Sequence, residues 1–152
     1  MSELHPFSGL GGLGADHAGL EILSVDECHR LLAAAPVARL AFVDHGEPVI
    51  LPVTITPWGG SVVFATDRGS KLEAAVMERP VALEVDEWDA TAQSGWSVLV
   101  KGTAMTVDDA AELADLDSRA ATAWVRPGQP KRWVRVLPNE ITGRRIVAEV
   151  AG

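Results

Sequence analysis

Val37-Ala-Arg-Leu-Ala-Phe-Val-Asp-His-Gly-Glu-Pro-Val-Ile-Leu-Pro-Val-Thr-Ile-Thr56 decides the fold. Val37 to Val43 is short and mostly apolar, Asp44-His-Gly-Glu47 has the chemistry of a turn, and Val49 to Thr56 is rich in β-branched residues. The stretch therefore reads as an antiparallel hairpin. Pro52 sits inside the second run, and a proline cannot donate to a strand ladder. It marks an edge, a bulge or a place where the chain turns toward a ligand.

Downstream, Gly59-Gly60 makes the next turn and Ser61 to Ala65 a third strand. Thr66-Asp-Arg-Gly69 closes that strand. Ser70-Lys-Leu-Glu73 is a capping box, and Leu72, Ala75 and Val76 follow at helical spacing until Pro80. Val81 to Val85 alternates as a fourth strand, Trp96 to Met105 makes a longer fifth, and Asp108 to about Ala121 reads as an alanine-rich helix with aspartates at its positive end. Trp133 to Leu137 and Ile146 to Val150 complete the strands. Upstream, Ser24-Val-Asp-Glu27 is another capping box, with Leu23 and Cys28 as its hydrophobic staple. Cys28, Leu31, Leu32 and Ala35 share one face of that helix before Pro36 stops it, so Cys28 reads as a core packer.

Six or so strands in about 110 residues, joined mostly by hairpins, favour a mainly β protein with flanking helices. An antiparallel barrel is preferred over a doubly wound parallel sheet, because closure removes exposed strand edges. Residues 1–20 read as a flexible arm and residues 21–152 as one domain. The run Gly9-Leu-Gly-Gly-Leu-Gly14 lacks the preceding strand and following helix that a dinucleotide loop requires.

Composition narrows the function. The 152 residues carry 21 acidic against 13 basic side chains, a formal net charge of −8, which opposes nucleic-acid binding. Cys28 is the single cysteine, so no intrachain disulfide or thiolate cluster is expected, and a reducing cytoplasm fits best. No basic leader region and no apolar run of about 20 residues is visible, so a soluble protein without membrane contact is expected. His5, His17, His29 and His45 share no face and no ligand spacing, so neither a metal site nor a general base is indicated. Asp86, Glu87 and Asp89 around Trp88 read as a solvated loop. No catalytic side chain stands out.

Thr66-Asp-Arg-Gly-Ser-Lys71 is the segment best suited to an anion. It joins two hydroxyls, two cations and a glycine at a strand-to-helix junction, where free amides and the helix dipole favour negative charge. Arg68 can fork onto phosphate oxygens, Lys71 supplies a point charge, and Gly69 lets the backbone approach closely. A plain helix cap with solvated cations, its Ser70 hydroxyl used by its own helix, is an equal reading of the same residues.

Taken in order, Arg39-Leu-Ala-Phe42, Pro48-Val-Ile-Leu-Pro-Val53, Phe64-Ala-Thr-Asp-Arg-Gly-Ser-Lys71, Ser94-Gly-Trp-Ser-Val-Leu-Val-Lys-Gly102 and Thr142-Gly-Arg144 resemble the pyridoxamine 5′-phosphate oxidase-like flavin-binding family, across roughly residues 22–147. The resemblance implies a split β-barrel that forms a homodimer, with flavin mononucleotide (FMN) in the groove between subunits and a small-molecule substrate over the ring. It implies that Leu51, Pro52 and Val53 pass the ring with their backbone, that Thr66, Ser70 and Lys71 hold the phosphate, and that Trp96 and Ser97 approach from the partner chain. Trp96 at a strand start also suits core or interface packing. A deazaflavin coenzyme or FAD is the alternative ligand, the former needing Arg39, Arg144 or Arg145 to converge, and a non-catalytic flavin carrier or sensor is the alternative role. The oxidases proper carry an arginine and a lysine on the strand that reads Val49-Ile-Leu-Pro-Val-Thr-Ile55 here without a basic residue, so pyridoxamine phosphate oxidation is not expected. Ala65 stands where relatives linked to nitroimidazole reduction carry a histidine. Arg39 reads either as a replacement cation or as an exposed, ion-paired residue.

Overall fold

The computed structural model describes residues 12–15, 20–119 and 126–147. Among them are nine strands and three helices in the order β1 (Gly12–Ala15), β2 (Glu21–Leu23), α1 (Val25–Ala34), β3 (Val37–Asp44), β4 (Glu47–Thr54), β5 (Thr56–Trp58), β6 (Ser61–Asp67), α2 (Lys71–Val76), β7 (Pro80–Asp89), β8 (Ser94–Thr106), α3 (Ala110–Arg119) and β9 (Lys131–Ile146). Each paired strand is antiparallel to its neighbour, in the path β1-β2-β9-β8-β7-β3-β4, with β6 joining β5 to β9.

The decisive hairpin forms without a slip, from Val37 opposite Thr54 to Asp44 opposite Glu47. His45 and Gly46 turn it at φ 50° and 80°, the mirror-image turn geometry that suits strand twist. Alternation does the rest. Ala38, Leu40 and Phe42 of β3 are buried, as are Val81, Leu83 and Val85 of β7 and Val98 and Val100 of β8. They meet Val62, Phe64, Val134 and Val136 in one curled core. A sheet that bends round its own apolar face gives the antiparallel split barrel.

Ser24 caps α1 by accepting from the Glu27 N–H at 3.1 Å, and Leu23, Cys28 and Leu32 enter the main core. The helix can settle on β9 because Gly143 has no side chain: a Cβ there would lie 2.6 Å from the Cys28 Sγ. Burial pushes the Cys28 thiol pKa up, in keeping with a packing role. A second, smaller core of Val63, Ala65, Val107, Leu116 and Trp133 lies beneath α3.

Several sequence boundaries are corrected. Trp133–Leu137 and Ile146–Val150 are not separate strands: β9 runs unbroken for 16 residues, because Pro138 sits beside a bulge opposite Lys101 and Gly102 and does not end the ladder. Residues 148–150 of that expectation lie outside the described residues. The run Val49–Thr56 divides into β4 and the start of β5, which pairs with β6. Strand β7 continues through Asp89, so Asp86, Glu87, Trp88 and Asp89 are exposed strand residues and not a loop. Of the residues read as an arm, Gly12–Ala15 pair with Glu21–Leu23, and residues 1–11 and 16–19 lie outside the described residues. The third helix begins at Ala110, and residues 120–121 of its expected span also lie outside. No helix among the described residues is long and apolar enough to cross a membrane.

Candidate functional site

The loop from Thr66 to Lys71 is held between β6 and α2 by its own hydrogen bonds. Gly69 adopts φ 75°, a left-handed conformation that glycine adopts without strain. Ser70 accepts from the Glu73 N–H at 3.1 Å and shares a 2.9 Å hydrogen bond with the buried Thr66 hydroxyl. The Arg68 N–H donates to the Pro130 carbonyl at 2.9 Å, which ties the loop to the approach to β9. The helix-cap reading of Ser70 is thus realised. Helix α2 spans six residues, too short for its dipole to dominate, so side-chain charge decides what the loop attracts.

That charge is positive. Asp67 is held by Arg126 and Glu73 by Arg132, each pair at 2.9 Å. Glu73 also accepts from the Gly69 N–H. The loop carboxylate Asp67 and the α2 carboxylate Glu73 are therefore neutralised, while the exposed Arg68 and Lys71 side chains enter no ion pair among the described residues. Four cations (Arg68, Lys71, Arg126, Arg132) face two carboxylates (Asp67, Glu73), a local charge of +2 in a chain whose formal net charge is −8. The second oxygen of Asp67 is buried without a hydrogen-bond partner.

The other expected contacts lie further along the sheet. Among the described residues strand β4 pairs on one side only, with β3, and none of them pairs with its other backbone edge. Leu51 and the buried Val53 turn their side chains to the core, leaving their backbone to meet a ligand, while Pro52 faces out. The Thr54 hydroxyl, next in the strand, is buried and has no hydrogen-bond partner. Pro52 and Trp96 line one groove of about 510 Å³ with Val37, Arg39, Asp86 and Glu87, and Trp96 also packs on the main core. Ser97, half-buried, stands opposite Asp86 and Arg144 in the sheet. Lys71 lines a different trench, of about 730 Å³, beside the β3–β4 turn. From Arg39 at one groove to Asp44 at the other is five strand residues, about 17 Å. Of the nine expected residues, Thr66, Arg68, Ser70 and Lys71 lie together at the junction of β6 and α2, Leu51, Pro52 and Val53 follow one another on β4, and Trp96 and Ser97 on β8, with Pro52 and Trp96 sharing a groove.

Sequence reasoning missed one constellation. On the outward face of the sheet, Arg39 bridges Glu84 at 3.3 Å and Asp86 at 2.7 Å, so Arg39 is ion-paired and exposed. The cluster borders a shallow apolar depression formed by Ala41, Ile50, Ala82 and Leu99. Partial burial and the neighbouring Asp86 carboxylate push the Glu84 pKa up to about 7, against the opposing pull of Arg39. The Glu84–Asp86 spacing of two was the available signal, since residues two apart share a strand face. Arg39 and Arg145, two of the cations a longer acidic coenzyme would recruit, are engaged instead by Glu84 and Asp86 and by Glu27.

Comparison with known proteins agrees with this architecture. A family model described as pyridoxamine 5′-phosphate oxidase matches residues 24–145. The chain is 34% identical over 132 residues to the Mycobacterium tuberculosis uncharacterized protein Rv0080, covering 84% of this chain and 86% of that one. It superposes on the structure of a Mycobacterium smegmatis protein described as FAD binding with a TM-score of 0.71 at 37% identity, covering 82% of this chain and 98% of that chain. A Corynebacterium glutamicum protein provisionally named a pyridoxamine 5′-phosphate oxidase gives 0.73 at 30% identity, with 84% and 98% covered.

Proposed function

The chain belongs to the pyridoxamine 5′-phosphate oxidase family, and from that premise we propose that it is a flavin-binding oxidoreductase that works as a homodimer on a small molecule. The observation that carries the reading is the Thr66–Lys71 loop, where Asp67 and the neighbouring Glu73 are spent on Arg126 and Arg132 while Arg68 and Lys71, beside two hydroxyls, enter no ion pair among the described residues. A phosphate needs that combination of charge and hydrogen-bond donors. The β4 edge at Leu51–Val53, unpaired among the described residues and with the orphaned Thr54 hydroxyl beside it, suits the polar rim of a flat ring.

A bound flavin would supply hydride or single-electron transfer. The chain's own residues bind and orient it: Lys71 and Arg68 fix the phosphate end, the β4 backbone fixes the ring, and Pro52 and Trp96 shape the space above. The apolar depression around Ile50 is the face that a second copy covers. Residues Glu47–Thr54 carry no lysine or arginine, which argues for a substrate other than pyridoxamine phosphate. FMN satisfies the loop with the fewest groups. FAD is favoured by the name of the M. smegmatis protein at 37% identity.

Absorbance and mass spectra of the purified protein, together with its native mass, test the reading. A flavin spectrum on a dimer is expected. A colourless protein that binds neither FMN nor FAD by equilibrium dialysis overturns it.

A further inference from the structure

The helices send their apolar side chains into the two cores, and none of their residues lines the depression formed by Ala41, Ile50, Ala82 and Leu99 on the outward face of the sheet. Val37, Val43, Ile50 and Trp88, large apolar side chains that stay exposed, stand on the same face, since they alternate with the core-facing residues of β3, β4 and β7. An apolar patch of this kind on a sheet marks an interface.

Charge divides the face along its strands. At one end Val43 and Pro80 lead into the trench of Lys71, His45 and Arg79, whose one lining carboxylate is Asp44. At the other end Val37 leads into the groove of Trp96, where Asp86 and Glu87 outnumber Arg39. Arg79 and Glu87 are exposed and enter no ion pair among the described residues. Both are firmly placed. The Arg79 N–H donates to the Val76 carbonyl at 3.0 Å and its carbonyl accepts from the Ala104 N–H at 3.0 Å, while Glu87 stands opposite Trp96 in the β7–β8 ladder.

Two copies that meet on this face are related by a two-fold axis lying between them. In aligned sheet packing that axis runs either along the strands or across them. An axis along the strands lays basic end on basic end and acidic end on acidic end, which like-charge repulsion opposes. An axis across the strands reverses one copy and lays each basic end on an acidic one. The apolar centre of the face is level with Leu83, between Ala82 and Glu84 and opposite Leu40 of β3. Arg79 and Glu87 each lie four residues from it, about 13 Å in opposite directions.

We propose that the second copy lies head to tail across this face, with the two-fold axis crossing β7 at Leu83 and Arg79 of each chain paired with Glu87 of the partner subunit. This rests on the homodimer reading above and deepens it, since it fixes the direction of the partner and names the charges that select it.

Sedimentation equilibrium at low ionic strength tests the arrangement with wild type, Arg79→Glu, Glu87→Lys, the double variant carrying both, and Ile50→Lys. The two charged side chains are exposed, so their reversal keeps the fold, which circular dichroism checks. Each single reversal sets like charges together at both symmetric contacts and is expected to weaken dimerisation about tenfold, an effect that shrinks as salt rises. The double variant restores opposite charges at both contacts and is expected within about threefold of wild type. Ile50→Lys is expected to be monomeric. Single reversals without effect, or a double variant as weak as the singles, overturn the head-to-tail arrangement and leave the homodimer reading in place. Dimerisation that survives Ile50→Lys overturns the choice of face. A monomeric wild type removes the homodimer reading together with this one.

Discussion

Lys71→Ala separates a phosphate site from a helix cap, because Lys71 does nothing for the fold that alanine cannot do. Its side chain is exposed, it stands at the first helical position after the Ser70 cap, and it enters no ion pair among the described residues. Alanine is the stronger helix former, so folding stability should change by less than about 0.5 kcal/mol. Flavin affinity should respond differently. A hydrogen bond to a charged group is worth about 1.5–3 kcal/mol, and solvent screening of an exposed ammonium puts this one at the lower end. A loss of about 1.4 kcal/mol is roughly tenfold in Kd. The assay is quenching of flavin fluorescence at low ionic strength, with FMN and riboflavin in parallel. Riboflavin lacks the phosphate, so its affinity should not move, and the FMN difference should shrink as salt rises. Equal weakening of riboflavin and FMN, or an unchanged FMN affinity, would refute the reasoning and return the loop to a plain cap.

The Glu84 carboxyl titrates higher in the folded chain, at about 7, than its ordinary value of 4.5. Between those values the folded state keeps a proton that the unfolded state has lost, so this residue makes stability fall as pH rises across that window and leaves it level above. Glu84→Gln should flatten that part of the profile in thermal melts taken from pH 4.5 to 8, and a profile identical to wild type would dismiss the residue as its source. At Gly143, an added Cβ meets the Cys28 Sγ at 2.6 Å and the Leu23 Cδ1 at 3.0 Å. Gly143→Ala should therefore cost about 1–3 kcal/mol by overpacking. Pairing it with Cys28→Ala should recover part of the loss, and strict additivity of the two in urea unfolding would contradict the contact.

Local chemistry made much of the fold legible. The turn at Asp44–Glu47, the two Ser-to-Glu caps and the alternation of Val81–Val85 in β7 follow from interactions within a few residues, and each appears where expected. Errors arose where long-range pairing overrides local signals. Trp133–Leu137 and Ile146–Val150 read as two strands, yet β9 runs on through Pro138 and Gly143, because β8 and β6 supply partners and the bulge opposite Gly102 absorbs the mismatch. The same cause carried β7 through the acidic run Asp86–Asp89, since pairing with Ser94–Ser97 outweighs its charge repulsion and exposure.

The site divides in the same way. Sequence alone determined the composition of the Thr66–Lys71 loop, its cap at Ser70 and the absence of basic residues on β4, because those are properties of contiguous residues. Only the tertiary structure decided that the loop is positive, since the partners of Asp67 and Glu73, Arg126 and Arg132, lie 59 residues away from them in the chain. It likewise brought Arg39 onto Glu84 and Asp86, and placed His45 and Arg79 on one trench with Lys71. Electrostatics acts through space. A sequence shows which charges exist, and the folded sheet determines which of them cancel and which remain to bind.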